Sequence, residues 1–120
     1  GGGCLITRDF LRMGLLFARK GKGIGNRKVG SSSFFNKTIK NLGPKYMELS
    51  KNKYLYYSNS TMVSENMIGH SGYGGQFLAT NFKTGNVAAF FSVLETKSAT
   101  KESYKTDMIN MLINIVNYKY

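Results

Sequence analysis

The chain has 120 residues, 42% of them hydrophobic, with 17 Lys and Arg against 6 Asp and Glu and a formal charge of +11. That length allows one small domain or a piece of a larger one, the apolar content is too high for disorder, and no apolar run reaches transmembrane length. With one Cys and one His, an intrachain disulfide and an ordinary zinc site are both excluded, which leaves Cys4 as a structural thiol.

Gly1-Gly2-Gly3 opens the chain without the basic and apolar regions of a signal peptide. The natural start is expected upstream, so the compartment stays open. Thr7 is read as an N-cap with Asp9 in the first turn. Phe10, Leu11, Met13, Leu15, Leu16 and Phe17 then recur at helical spacing up to Arg19-Lys20-Gly21. Arg8, Arg12 and Arg19 fall on a solvated face, and the stretch from Gly21 to Gly25 is predicted to end the helix in a flexible loop. A second, shorter helix is predicted from Ser33, as its cap, through Phe34, Phe35 and Ile39.

Gly43-Pro44 marks a break, after which the pattern changes to sheet. Tyr54-Leu55-Tyr56-Tyr57 predicts a strand, because aromatic residues suit a pleated, half-buried surface. Met67-Ile68-Gly69-His70 leads into a glycine run, and residues 76–82 predict a second strand. Lys83-Thr84-Gly85-Asn86 predicts a turn, and residues 87–94 a third strand apolar enough to be buried on both faces. Asp107, Asn110, Asn114 and Asn117 are spaced three, four and three, so they form a narrow polar stripe on an otherwise apolar helix. Such a helix needs a broad apolar partner, and the antiparallel sheet before it is the natural one. Lys105 and Lys119 at its ends do not make the basic face of an interfacial membrane helix. The expected class is α+β, an antiparallel sheet flanked by helices.

Two features suggest a function. A pI near 9.9 is typical of nucleic-acid binders. The basic residues are nevertheless spread from Arg8 to Lys53 with no dense run and no nucleic-acid motif, so nucleic acid is not the preferred partner. The stronger feature is His70-Ser71-Gly72-Tyr73-Gly74-Gly75, which sets the chain's single His and a Ser beside glycines that let backbone approach a ligand. A lone His beside glycine is also a common loop residue.

Two segments together resemble the C-terminal part of the serine hydrolases related to class C β-lactamases, penicillin-binding proteins and their esterase and amide-hydrolase relatives. Gly1-Gly2-Gly3-Cys4-Leu5-Ile6-Thr7-Arg8-Asp9-Phe10-Leu11-Arg12-Met13-Gly14 resembles that family's Gly-Gly, Thr-x-x-Asp, Ala-Arg-Phe-Gly stretch. Gly69-His70-Ser71-Gly72-Tyr73-Gly74-Gly75-Gln76-Phe77 resembles its third motif, Lys/His-Thr/Ser-Gly, at the strand beside the active site. The literal Lys83-Thr84-Gly85 leaves no room for the two strands and helix that follow the motif in the family, and is read as a turn.

The resemblance implies a β-lactamase/transpeptidase-like fold of which residues 1–120 are a single partial domain. It implies His70 and Ser71 as catalytic-site residues, with Gly72, Tyr73, Gly74 and Gly75 as the oxyanion and substrate wall and the Tyr73 N–H as one oxyanion donor. A small-molecule ester, amide or peptide is the implied substrate, and no cofactor or metal is expected. His70 in place of the commoner Lys removes a permanent cation, which favours an esterase, peptidase or amide hydrolase over β-lactam hydrolysis. The family's nucleophile lies in a Ser-x-x-Lys motif opening a helix, and that motif is read as absent. Ser31-Ser32-Ser33 has no Lys three positions on, and Tyr57-Ser58-Asn59 matches the second motif, Tyr-x-Asn, in spelling but out of order. The chain alone is therefore expected to be inactive, with exposed strand edges and apolar surface. The alternatives are a non-catalytic basic binding module for nucleic acid and a degenerate structural remnant.

Overall fold

The structure, a computed structural model, describes residues 4–40, 43–92 and 102–119. Helix α1 (Thr7–Ala18) begins one residue earlier than its predicted cap implies. Ile6 is the N-cap, without a side-chain bond, and Thr7 is already helical. The Ile6 carbonyl accepts from the N–H groups of Asp9 and Phe10 at 3.0 and 3.1 Å, so backbone alone closes the first turn. Asp9 keeps its predicted place and pairs with Arg12 at 2.7 Å. The following glycine stretch is more built than a bare loop. Gly21 turns the chain at φ 87°, and its carbonyl accepts from Val29 and Gly30 at 3.1 and 2.8 Å around a single 3-10 turn at Ile24–Asn26. Helix α2 (Ser32–Lys40) is capped by Ser31 rather than Ser33, the Ser31 hydroxyl accepting from the Phe34 N–H at 3.2 Å.

Six strands follow: β1 (Lys45–Ser50), β2 (Lys53–Ser58), β3 (Thr61–Ser64), β4 (Met67–Ser71), β5 (Gln76–Asn81) and β6 (Val87–Phe91). They lie in sequence order in one sheet, and every neighbouring pair is antiparallel. Helix α3 (Glu102–Asn117) completes the α+β fold. The β2–β3 hairpin turns through Asn59 and Ser60, both at positive φ, the conformation whose twist suits two-residue hairpins.

Side chains alternate across a strand, so each strand feeds two separate cores. On one face Leu55, Met62, Met67, Phe77 and Ala79 pack under Ile109, Leu112 and Val116 of α3. On the other, Val63 and Ile68 pack with Phe35 of α2, and Phe17 of α1 joins them. The sheet is thus a middle layer between α3 and the α1–α2 pair, the arrangement that buries both of its faces.

One sequence expectation is corrected. Residues 87–94 were expected to form a strand buried on both faces. Among the described residues the strand β6 is an edge strand with a single neighbour, and its residues are half-buried, except Phe91, which is exposed. The last two residues of that prediction lie outside the described residues. In α3 the polar stripe is there as read, with Asp107, Asn114 and Asn117 exposed, and it also makes bonds to the sheet. Asn110 donates to the Leu49 carbonyl at 3.2 Å, and Asn81 donates to the Asn117 side chain at 2.7 Å, whereas the apolar Met111 and Ile115 are exposed.

Candidate functional site

The glycine run is the turn of the β4–β5 hairpin. Gly72 donates to the Gln76 carbonyl at 2.7 Å, and Gly75 donates back to the Gly72 carbonyl at 3.2 Å. Gly75, at φ 82°, is the position where backbone conformation itself asks for glycine. At Gly72 and Gly74 the nearest atoms to an added Cβ belong to the Gln76 side chain. That side chain also accepts from the Gly74 N–H at 3.1 Å, which ties the turn to the strand after it. Tyr73 sits at the tip, 69% exposed. Among the described residues its N–H meets no acceptor.

This turn is a ridge between two clefts. The larger, of about 840 Å³, lies toward α1 and is lined by Cys4, Ile6, Phe10 and Met13 on one wall and by residues 70–74 with Gln76 on the other. The second, of about 520 Å³, is lined by the same His70-Ser71-Gly72-Tyr73 together with Tyr46, Tyr57 and Lys105. The six predicted site residues are therefore kept together by one hairpin, with His70 and Ser71 adjacent at its base. Their side chains leave opposite faces of β4. His70 stacks on Phe17 of α1, with centroids 6.0 Å apart and planes inclined by 28°. Ser71 stands in register with Phe77, a residue of the α3-side core. Neither side chain has a hydrogen-bond partner among the described residues, so His70 does not act as a base on Ser71.

Burial lowers the pKa of His70 from its ordinary 6.5, because removing imidazolium from water disfavours the charged form. The fold therefore holds the neutral ring. As pH falls below 6.5 the unfolded chain takes up the proton before the native chain does. The stability present above that value is accordingly lost as pH falls through the folded pKa. Urea midpoints measured from about pH 7.5 down to about pH 5 should decline in the wild type, and more gently in His70→Gln. Equal slopes would show that His70 is not the source.

The second cleft holds residues that sequence reasoning passed over. Lys105, in the first turns of α3, donates to the Tyr46 hydroxyl, and the Tyr46 and Tyr57 rings lie 6.0 Å apart. Tyr57 was set aside as out of order, yet its ring reaches the cleft that Ser71 lines. Only the hairpins bring β1, β2 and β4 to one end of the sheet, and no local signal marks these residues. Cys4 was expected to be structural. It is exposed at the rim of the larger cleft.

Lys83-Thr84-Gly85 lies between β5 and β6, where the Asn81 side chain accepts from the N–H groups of Lys83 and Thr84 at 2.9 and 3.1 Å. It is a turn, as read. The reading of Ser-x-x-Lys as absent is corrected: a literal one occurs at Ser50-Lys51-Asn52-Lys53, where it closes the β1–β2 hairpin with Ser50 paired to Lys53. That is a strand end and not the start of a helix. A second, Ser98-Ala99-Thr100-Lys101, lies outside the described residues. Among the described residues no helix is long and apolar enough to cross a membrane, and no cluster of His, Cys, Asp or Glu could hold a metal ion. No protein-family model, curated protein or solved structure matches the chain.

Proposed function

We propose that the chain is the C-terminal part of a β-lactamase-related serine hydrolase that cleaves ester, amide or peptide bonds through an acyl-enzyme. One observation supports this above the others. The two segments that carry the family resemblance, distant in sequence, form the facing walls of a single cleft of about 840 Å³. Acyl transfer needs an activated serine and N–H groups aimed at the developing oxyanion. The unpaired Tyr73 N–H at the hairpin tip suits the second role. His70, neutral and at the cleft wall, suits a group that orients substrate or relays a proton near neutral pH. Ser71 lies beside His70 on the ridge but sends its hydroxyl to the opposite face of β4, toward the second cleft, and Gly72, Gly74 and Gly75 keep the wall low.

The nucleophile is expected from sequence upstream of Gly1, and the chain alone is expected to be inactive. Reading that sequence should reveal a Ser-x-x-Lys followed by a Tyr-x-Asn in the same frame. A start codon with neither motif between it and Gly1 would overturn the proposal. In the extended protein, hydrolysis of a short-chain nitrophenyl ester should fall by on the order of tenfold or more in His70→Ala. An unchanged rate would remove His70 from the mechanism.

A further inference from the structure

We propose that Phe17 is the positioning residue of His70: α1 holds its ring against the end of β4, where it fixes the imidazole plane and shields one face of it from water. The placement of α1 makes this contact. Gly14, one turn before Phe17, lies so close to the sheet that a Cβ there would stand 2.3 Å from Val87 Cγ1 and 2.9 Å from Leu78 Cδ1. Leu78 is the register partner of His70 across β4–β5. The Thr80 hydroxyl donates to the Gly14 carbonyl at 3.2 Å and holds the helix at this distance. A helix seated so deep carries its next turn over the neighbouring strand. Phe17 arrives there at 6.0 Å from the imidazole, within the range at which aromatic pairs attract.

Phe17 also packs with Phe35, Val63 and Ile68, so its own rotamer is held by the core. The imidazole is thereby connected to the interior by one aromatic ring, and no hydrogen bond to a described residue competes for its orientation. The groups that face His70 from the surrounding elements are few. Cys4 and Tyr73 line the cleft on the α1 side, and Lys45, Lys105, Tyr46 and Tyr57 line the other. None of them sets the direction of its titration, which follows desolvation alone.

The consequence for catalysis rests on the proposed hydrolase function, whereas the stack itself does not. A single histidine makes the test direct, because the imidazole Cε1–H gives one NMR signal in the whole chain. In the wild type an NOE is expected between the Phe17 ring and the imidazole, with the imidazole signal displaced by the ring current and a titration midpoint below 6.5. In Phe17→Leu, which keeps an apolar side chain in the core, the ring-current displacement should vanish and the midpoint should move up. In Phe17→Ala the midpoint should approach 6.5 more closely. Absence of the wild-type NOE overturns the proposal, whether or not either variant folds. So does a folded Phe17→Leu in which neither signal nor midpoint moves. If the titration moves but His70→Ala leaves ester hydrolysis of the extended protein unchanged, the catalytic role given to His70 fails and the stack stands; if the extended protein hydrolyses no ester at all, the hydrolase function fails and the stack still stands.

Discussion

Phe77→Ala is expected to cost about 3–5 kcal/mol, the usual range for removing a buried aromatic ring, and to lower the urea midpoint sharply. Phe77 has no exposed surface and sits at the centre of the α3-side core. Its ring stacks on Phe90 of β6 at 5.3 Å and meets Tyr104 of α3 edge-on at 6.3 Å. One side chain thus joins two strands and a helix, and truncation would leave a cavity that none of the three can collapse into alone. A single domain has roughly 5–15 kcal/mol of total stability, so a loss of this size consumes much of it. Urea denaturation followed by circular dichroism measures the effect. Phe34→Ala is the internal control: that ring is 57% exposed, and its loss should change stability by about 0.5 kcal/mol or less. A Phe77→Ala midpoint within error of the Phe34→Ala midpoint would show that the core is not centred where it is described.

Gly69→Ala is expected to destabilise by roughly 2–4 kcal/mol, a large effect for a single methyl group. The cause is specific. A Cβ at Gly69 would stand 2.0 Å from the Leu78 carbonyl oxygen, a backbone atom of the neighbouring strand that cannot rotate away. Relief requires β4 and β5 to separate locally. Since Gly69 directly precedes His70, the strain would reach the candidate site as well. The expected result is a lowered urea midpoint with a displaced His70 NMR signal. Gly25→Ala separates this steric cause from glycine's conformational cost: Gly25 is at φ 64° with nothing within 4 Å of a new Cβ. It should cost only about 1 kcal/mol. Equal losses at the two positions would contradict the steric account of Gly69.

Much of the local structure could be read from residue order because it depends on short-range periodicity. Phe10, Leu11 and Phe17 marked α1, the Tyr54–Tyr57 aromatics marked β2, and the Asp107, Asn110, Asn114 and Asn117 stripe marked α3 as an amphipathic helix, whose buried face at Ile109, Leu112 and Val116 only the packing picked out. Helix starts were less legible. A serine or threonine near a helix start is a candidate cap wherever it stands, and the choice of Ile6 and Ser31 over Thr7 and Ser33 depends on backbone geometry. Strands β1 and β3 escaped the pattern. In β1 the single fully buried residue is Leu49, and β3 is four residues that are all buried, so neither shows clean alternation.

The sequence by itself determined the α+β class, the glycine turn after His70 and the apolar helix that closes the fold, because composition and local period dictate each of these. Tertiary structure decided what the turn faces. Register across β4–β5 put His70 on the α1 side and Ser71 on the other, and the close seating of Gly14 on the sheet brought Phe17 to the imidazole. Both depend on contacts between residues far apart in the chain, and their free energy comes from burial shared among elements. No local pattern encodes such contacts. For the same reason the walls at Ile6 and Gln76 are separate motifs in the sequence and one cleft in the fold.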